Sequence, residues 1–154
     1  MPLREPVLIL ALLGLLAGSP LLADDIAILD PYARASRPGA PTAAIFMSIR
    51  NTGASADRLL SARSPAAAIV QIHAHVEVGG IMKMREIEAG IPLPAGATHA
   101  LSRGGDHVML MGVTQELADG ETVPLTLVFE IAGEVVIEVP VDNERGQPAR
   151  GAGQ

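Results

Sequence analysis

Histidine and methionine side chains are concentrated in three short runs of this sequence. The runs read HAH at 73–75, MKM at 82–84 and HVMLM at 107–111. Side chains two residues apart on a β-strand point to the same face of a sheet, so each run directs its His and Met side chains one way. The glycine pair at 79–80 suits a tight turn, and we therefore predict a hairpin that brings the first two runs side by side.

A mixed set of imidazole and thioether groups favours copper. Thioether sulfur is neutral and polarisable, which makes it a poor ligand for Mg²⁺, Ca²⁺ or Zn²⁺ and a good one for Cu(I). Neutral imidazole accepts copper in either oxidation state, so the same set is compatible with Cu(II). The sequence contains no cysteine, which excludes thiolate metal sites and cysteine nucleophiles. Any metal site must therefore use His, Met and carboxylate groups.

Some of these residues also suit a structural role. Methionine fills irregular gaps in protein cores, and Met47, within AAIFMSI, is predicted to be a core residue. Met82 and Met111 are left as either ligands or packing residues. His99 stands apart from the three runs, and we interpret it as a surface residue or a hydrogen-bonded core residue.

Catalysis is not expected from this sequence. Asp106 beside His107 and Glu77 near His75 are acid–base candidates, but neither belongs to a triad or to a paired-carboxylate arrangement. The prediction is a binding protein, not an enzyme.

The N-terminus predicts export. Arg4 precedes an apolar run at 7–17, a Gly-Ser-Pro break follows at 18–20, and Ala23 stands before an acidic pair. This order is typical of a secretory signal peptide with cleavage after Ala23. The apolar run is interrupted and shorter than the roughly 20 residues that a spanning helix needs, so we predict no membrane insertion after cleavage. Residues 1–23 are assigned to the signal peptide, and the mature protein to the periplasm.

The composition of the mature chain argues against binding to nucleic acids and to anionic membranes. The formal net charge is −6, and the chain has one Tyr, two Phe and no Trp. An acidic domain with so few aromatic groups lacks the basic footprint and the stacking surfaces of a nucleic-acid binder. An anionic membrane surface would also repel it. Without disulfides, its stability must come from packing.

Short segments rich in Val, Ile, Leu and Thr alternate with clusters of Gly, Pro, Asn and Asp, which predicts an all-β protein. Nine strands at this spacing favour a Greek-key β-sandwich or barrel. They are predicted at 26–29, 42–50, 57–64, 68–77, 81–88, 98–102, 107–113, 124–132 and 134–141. The pairing of β-strands is expected to be interrupted at Pro92, Pro94 and Gly96. We assign residues 24–141 to one β-sandwich domain and residues 142–154, which lack apolar anchors, to a disordered tail.

The spacing of the candidate ligands resembles the signature of the periplasmic PCu(A)C-like copper chaperones. In that signature a His is followed after ten residues by a Met, and later by His-x-Met; here these are His73, Met84, His107 and Met109. The surrounding sequence is also similar, at 32–53, 56–67, 79–85 and 107–129. The resemblance covers nearly the whole mature chain. It implies a cupredoxin-like β-sandwich that binds Cu(I) through these four side chains.

The same resemblance implies copper delivery, typically for assembly of the CuA site of cytochrome c oxidase. Expected partners are copper donor and acceptor proteins, such as oxidase subunit II or a Sco-type protein, and the protein itself is expected to be a monomer. Two alternatives stay open at this point. One is a periplasmic copper buffer or resistance protein without a dedicated client, and the other is a structural β-sandwich module that binds no metal.

This chain departs from the family pattern in three ways. His75 stands where many members have a Met, and an imidazole there could replace a ligand, add Cu(II) affinity or lie beside the site. We count His75 as a candidate additional ligand. The gap between Met84 and His107 is one residue longer than usual, which a bulge or a longer loop can absorb. The His- and Met-rich C-terminal extension of some members is missing from this sequence.

Overall fold

The computed structural model describes residues 25–146, and these fold into ten β-strands without a helix. The strands are β1 (Ile26–Ala35), β2 (Thr42–Asn51), β3 (Asp57–Arg63), β4 (Ala67–Val78), β5 (Ile81–Glu86), β6 (Ile91–Leu93), β7 (Thr98–Leu101), β8 (His107–Val113), β9 (Thr122–Phe129) and β10 (Gly133–Pro140). In this part of the chain, no helix has the length and apolar character to cross a membrane. Residues 1–24, which include the predicted signal peptide, and residues 147–154 lie outside the described residues.

The strands form two antiparallel sheets that pack as a sandwich. The first sheet has the order β1-β2-β8-β4-β5, with β7 paired to β2, and the second has the order β10-β9-β3-β6. Alternate residues of the inner strands face the other sheet; in β9 these are Val123, Leu125, Leu127 and Phe129, none more than 2% exposed. This alternation directs one face of each sheet toward the core and the other face outward. The predicted all-β sandwich is confirmed.

One hydrophobic core joins the two sheets. Ile45 of β2 and Leu110 of β8 belong to the same buried cluster as Leu59 of β3 and Leu127 of β9. Burial of each large aliphatic side chain stabilises the fold by roughly 1.5–3 kcal/mol relative to exposure, which compensates for the absence of disulfides. Met47 lies in this cluster and is buried, so its predicted core role is confirmed.

Two strands differ most from the prediction. β1 does not end at residue 29, because it resumes pairing with β2 at Tyr32 after a register shift and continues to Ala35. Residues Ile91–Leu93, where we expected prolines to interrupt pairing, form β6 and pair with β3. Pro92 is tolerated because β6 is the outermost strand of its sheet, where one side of the strand needs no hydrogen-bond donors. The expectation of interrupted pairing was therefore wrong at these three residues.

The chain stays in contact with the sandwich beyond residue 141, where we expected the domain to end. The backbone N–H of Ala35 donates to Oδ1 of Asn143 over 2.8 Å. Arg145 forms an ion pair with Asp30, and its guanidinium lies 4.2 Å from the centre of the Tyr32 ring. Polar contacts and a cation–π contact thus hold residues 142–146 although these residues carry no apolar anchors.

Candidate metal centre

The three His/Met runs lie on three neighbouring strands of the first sheet. The run at 107–111 is on β8, the run at 73–75 is on β4 and the run at 82–84 is on β5, with β4 between the other two. Ile72 and Val108 are buried in the core, so the residues that alternate with them point to the opposite, outer face of the sheet. All the candidate ligands lie on that outer face: His73, His75, Met84, His107 and Met109.

β4 and β5 form the predicted hairpin. Val78 pairs with Ile81, and the two residues between them, Gly79 and Gly80, have φ values of 61° and 80°. Positive φ at both central positions produces a tight turn that glycine adopts without steric cost. This turn sets the register of the hairpin, and the register determines the cross-strand partner of each residue on β5.

Strand register decides which candidate ligands are neighbours. His73 pairs with His107 across β4 and β8, and His75 pairs with Met84 across β4 and β5. The outer face therefore carries three successive rows, with Met109 in the first, the His73–His107 pair in the second and the His75–Met84 pair in the third. The two candidate thioether ligands flank the central histidine pair from opposite sides. Met84 lies opposite His75, not opposite His73.

The imidazole rings form a cluster around His107. The centre of its ring lies 5.8 Å from that of His73 and 5.3 Å from that of His75. Phe46, on the neighbouring strand β2, lies 6.1 Å from His107. His107 is 3% exposed, whereas Met84 is 50% exposed. The cluster is therefore buried at β8 and opens to solvent at β5, which is an edge strand of the sheet.

Hydrogen bonds to one backbone carbonyl orient two of the rings. The Nδ1 atoms of His75 and His107 lie 3.0 Å and 3.1 Å from the carbonyl oxygen of Gly105. A carbonyl oxygen only accepts hydrogen bonds, so each Nδ1 carries the proton and donates it, while each Nε2 keeps a free lone pair. Metal-binding histidines are commonly oriented by such donation from the ring nitrogen that does not bind the metal. The loop between β7 and β8 therefore leaves the Nε2 lone pairs of both rings available to a metal ion.

His73 presents its other ring nitrogen. Its Nε2 lies 2.9 Å from Oε1 of Gln71, so Nε2 donates and Nδ1 keeps the lone pair. Nδ1 is buried and has no hydrogen-bond partner. Buried polar atoms without a hydrogen-bond partner are rare because each one lowers the stability of the fold by about 1–3 kcal/mol. A soft metal ion bound at Nδ1 would satisfy this atom, and the donor set around it therefore fits a metal.

The surroundings of His107 favour its neutral form. Burial is the main cause that lowers the pKa of His107 below its ordinary value of 6.5. The hydrogen bond to the Gly105 carbonyl raises this pKa in part, and the neighbouring His75 and His73 lower it further. Only an unprotonated imidazole binds a metal, so the lowered pKa keeps His107 able to bind over a wider pH range than an ordinary histidine.

Two groups that shape the cluster were not identified from the sequence. Gln71, the partner of His73, lies two residues before it on β4, so strand alternation could have indicated their shared face. No local signal marks the carbonyl of Gly105, which reaches the cluster through a loop. His99 is hydrogen-bonded to Asp106 over 2.9 Å, which agrees with its interpretation as a hydrogen-bonded residue and places it beside that loop.

Met82 and Met111 lie one row outside the candidate ligands, at opposite ends of the strip. Met82 pairs with Glu77 and is 58% exposed, and Met111 pairs with Ile69. Neither methionine is paired with an imidazole. Among residues 25–146, no group of three or more His, Asp or Glu side chains is arranged to hold a metal ion. The candidate centre is distinguished by its mixture of imidazole and thioether groups.

The fold and the cluster together define a β-sandwich domain with a thiol-free centre rich in His and Met. The chain belongs to the LpqE-like family, described as "Putative lipoprotein LpqE-like", whose family model matches residues 26–141. It is 33% identical over 124 residues to "Putative lipoprotein Lxx21020" from Leifsonia xyli subsp. xyli. That alignment covers 80% of this chain and 74% of the Leifsonia protein.

Solved structures of copper proteins share this fold. The copper-bound PCuAC domain from PmoF2 superposes with a TM-score of 0.63 at 29% identity, covering 77% of this chain and 93% of that domain. The solution structure of CuI-DR1885 from Deinococcus radiodurans superposes with a TM-score of 0.60 at 28% identity, covering 77% of this chain and 80% of that one. The predicted resemblance to the PCu(A)C-like proteins is confirmed.

Proposed function

We propose that this protein is an exported copper chaperone that carries one Cu(I) ion on the outer face of the first sheet. The observation that carries the proposal is the buried, unpartnered Nδ1 of His73 beside His107, with a thioether on either side of that pair. The copper-bound and CuI relatives support copper, and its Cu(I) state, as the cargo. The ligands that we propose are His73, Met84, His107 and Met109.

The composition of this ligand set suits a carrier of Cu(I). Two imidazoles bind copper firmly, and two thioethers add soft, uncharged donors. Thioether sulfur has no proton to lose or regain, so its exchange with another ligand requires no proton transfer. The absence of thiols protects the centre from disulfide formation in an oxidising compartment, although methionine remains open to oxidation to the sulfoxide.

The exposure of the proposed ligands increases from His107 to Met84, which supports transfer of the copper ion over its storage. His107 is almost fully buried, while Met84 on the edge strand is half-exposed. An acceptor's ligands can approach from the β5 side and displace Met84 first, while His107 still holds the ion. Stepwise exchange of this kind passes copper on without releasing it, because each bond breaks as another forms. We propose no catalytic role for this site.

The family resemblance supports a particular destination for the copper. We propose that the protein acts in the periplasm, takes copper from a donor protein and supplies it for CuA assembly in cytochrome c oxidase, through subunit II or a Sco-type protein. The lipoprotein descriptions of the family and of the Leifsonia relative support export to the cell envelope.

Copper transfer in vitro tests this destination. Protein loaded with Cu(I) is expected to lose its copper when mixed, under anaerobic reducing conditions, with a copper-free CuA domain or a copper-free Sco-type protein. The two proteins are then separated and the copper in each is measured. Copper that stays with the loaded protein in both mixtures would contradict delivery and favour a periplasmic copper buffer.

Removing both thioethers of the proposed set is expected to weaken Cu(I) binding at least about tenfold, since even partners outside the ligand set contribute 10–100-fold to metal affinity. Residues 24–154 would be titrated with Cu(I) under anaerobic reducing conditions against a chromophoric Cu(I) chelator. The wild-type protein is expected to hold one Cu(I) that Zn²⁺ does not displace. The variant Met84→Leu/Met109→Leu is expected to lose this competition.

The matched control is Met82→Leu/Met111→Leu, which removes the same number of thioethers one row outside the proposed ligands. This control is expected to bind Cu(I) like the wild type. If the wild-type protein does not compete with the chelator, the His/Met runs are packing residues and the proposed function fails. If the two double variants lose affinity equally, the assignment of ligands fails.

A further inference from the structure

His75 is the imidazole of the cluster that the proposed ligand set leaves out. It lies on β4 two residues beyond His73, and it pairs with Met84 on β5. Directly paired residues have Cβ atoms about 4.5–5.5 Å apart, whereas diagonal neighbours are about 7–8 Å apart. Since Met84 is only a diagonal neighbour of His73, the imidazole that the ladder places nearest to Met84 is that of His75.

The ring of His75 is also oriented for binding beside His107. Its centre lies 5.3 Å from that of His107, which is closer than the 5.8 Å between His73 and His107. Both rings donate from Nδ1 to the carbonyl of Gly105, so both Nε2 atoms keep free lone pairs. β4 lies between β5 and β8. An ion that contacts Met84 and His107 therefore meets His75 on the strand between them.

We propose that His75 is a copper ligand in this protein and acts together with Met84 and His107. This inference rests on the proposed function, because it assigns a further ligand to the same centre. Imidazole is a good ligand for Cu(II), whereas thioether is a soft ligand that selects Cu(I). An additional imidazole at the open end of the centre allows it to bind copper as Cu(II) as well as Cu(I). His75 is the residue that confers this binding of Cu(II).

The substitution His75→Met separates the two oxidation states. It replaces an imidazole by a thioether, so Cu(I) affinity is expected to stay close to the wild-type value. Cu(II) affinity is expected to fall at least about tenfold, the lower end of the loss seen when groups around metal sites are removed. Each affinity would be measured on residues 24–154 by competition with a chromophoric chelator for that oxidation state.

The control for this test is His99→Met, which removes an imidazole that is bonded to Asp106 and lies outside the cluster. It is expected to change neither affinity. A second variant, His75→Gln, keeps a side-chain N–H that can donate to the Gly105 carbonyl and is expected to lose Cu(II) affinity as His75→Met does. Retained Cu(I) binding in His75→Met shows that the variant is folded.

Electron paramagnetic resonance of the protein loaded with Cu(II) provides a readout that a merely structural role would not change. Nitrogen hyperfine coupling is expected from at least two imidazoles in the wild type, and from one fewer in His75→Met. Unchanged Cu(II) affinity and an unchanged spectrum in that variant would overturn the inference, as would a wild-type protein that does not bind Cu(II). Failure of the wild type to bind Cu(I) would instead overturn the proposed function, so the two failures are distinguishable.

Discussion

The variant His107→Gln is expected to bind Cu(I) at least about a hundredfold more weakly than the wild type, a larger loss than any other single substitution at the centre. His107 pairs with His73 across the sheet, and its ring is close to those of both His73 and His75. His107 therefore lies in the middle of the imidazole cluster. Glutamine has a similar volume and an N–H that can donate to the Gly105 carbonyl, so the fold is expected to persist. The loss would be measured by the same competition with a Cu(I) chelator.

The control for His107→Gln is His99→Gln, which removes the histidine that lies outside the cluster. Its Cu(I) affinity is expected to match that of the wild type. Wild-type affinity in His107→Gln would show that His107 is only a buried packing residue, and it would contradict the proposed centre.

The variant His107→Gln also tests how Cu(I) binding depends on pH. Protons compete with copper for the imidazole nitrogens, so Cu(I) affinity is expected to fall as the pH drops through the pKa values of the ligands. Because burial lowers the pKa of His107 below 6.5, its share of this loss begins at a lower pH than for an exposed histidine. The pH dependence is expected to be shallower in His107→Gln. Copper retention by the wild type that is unchanged well below about pH 5 would contradict imidazole ligation.

The variant Gly90→Ala is expected to lower the free energy of unfolding by roughly 3 kcal/mol or more, through backbone strain and overpacking. Gly90 has a φ of 76°, and a Cβ added there would lie 2.4 Å from the carbonyl oxygen of Leu59. That oxygen belongs to the backbone of β3, and the Leu59 side chain is fully buried. The clash can be relieved only if the backbone of the Gly90 turn or of strand β3 moves. Urea unfolding of residues 24–154, followed by circular dichroism, measures the loss.

Gly96→Ala separates the clash from the cost of the backbone conformation. Gly96 has a φ of 74°, nearly the same as Gly90, but a Cβ added there meets nothing within 4 Å. Its expected loss of stability is only about 1 kcal/mol, which is the cost of positive φ for a residue with a Cβ. Equal losses in the two variants would show that the contact with Leu59 adds nothing to the destabilisation.

Most of the strands could be predicted from the sequence because their signals are local. β8 was predicted at its observed bounds, and the hairpin of β4 and β5 was predicted from the glycine pair at 79–80. β6 was missed because its short segment becomes a strand only through its place at the edge of a sheet beside β3. The ordering of residues 142–146 depends in the same way on contacts with distant residues such as Asp30 and Ala35.

The donor types of the candidate centre and the face that they share follow from the amino-acid sequence alone. Residue types define the imidazole and thioether donors, and the period of two along a strand directs the members of each run to one side. Those two properties depend only on covalent structure and on local backbone geometry.

Which donors become neighbours depends on the order and register of the strands in the folded protein. β8 lies beside β4 although a long stretch of chain separates them, and this pairing sets His73 opposite His107. The same arrangement brings the Gly105 carbonyl to two rings and buries Nδ1 of His73 without a partner. Strand order and register cannot be predicted from local sequence because they are selected by burial of the whole apolar face of each sheet. That burial depends on many distant residues together.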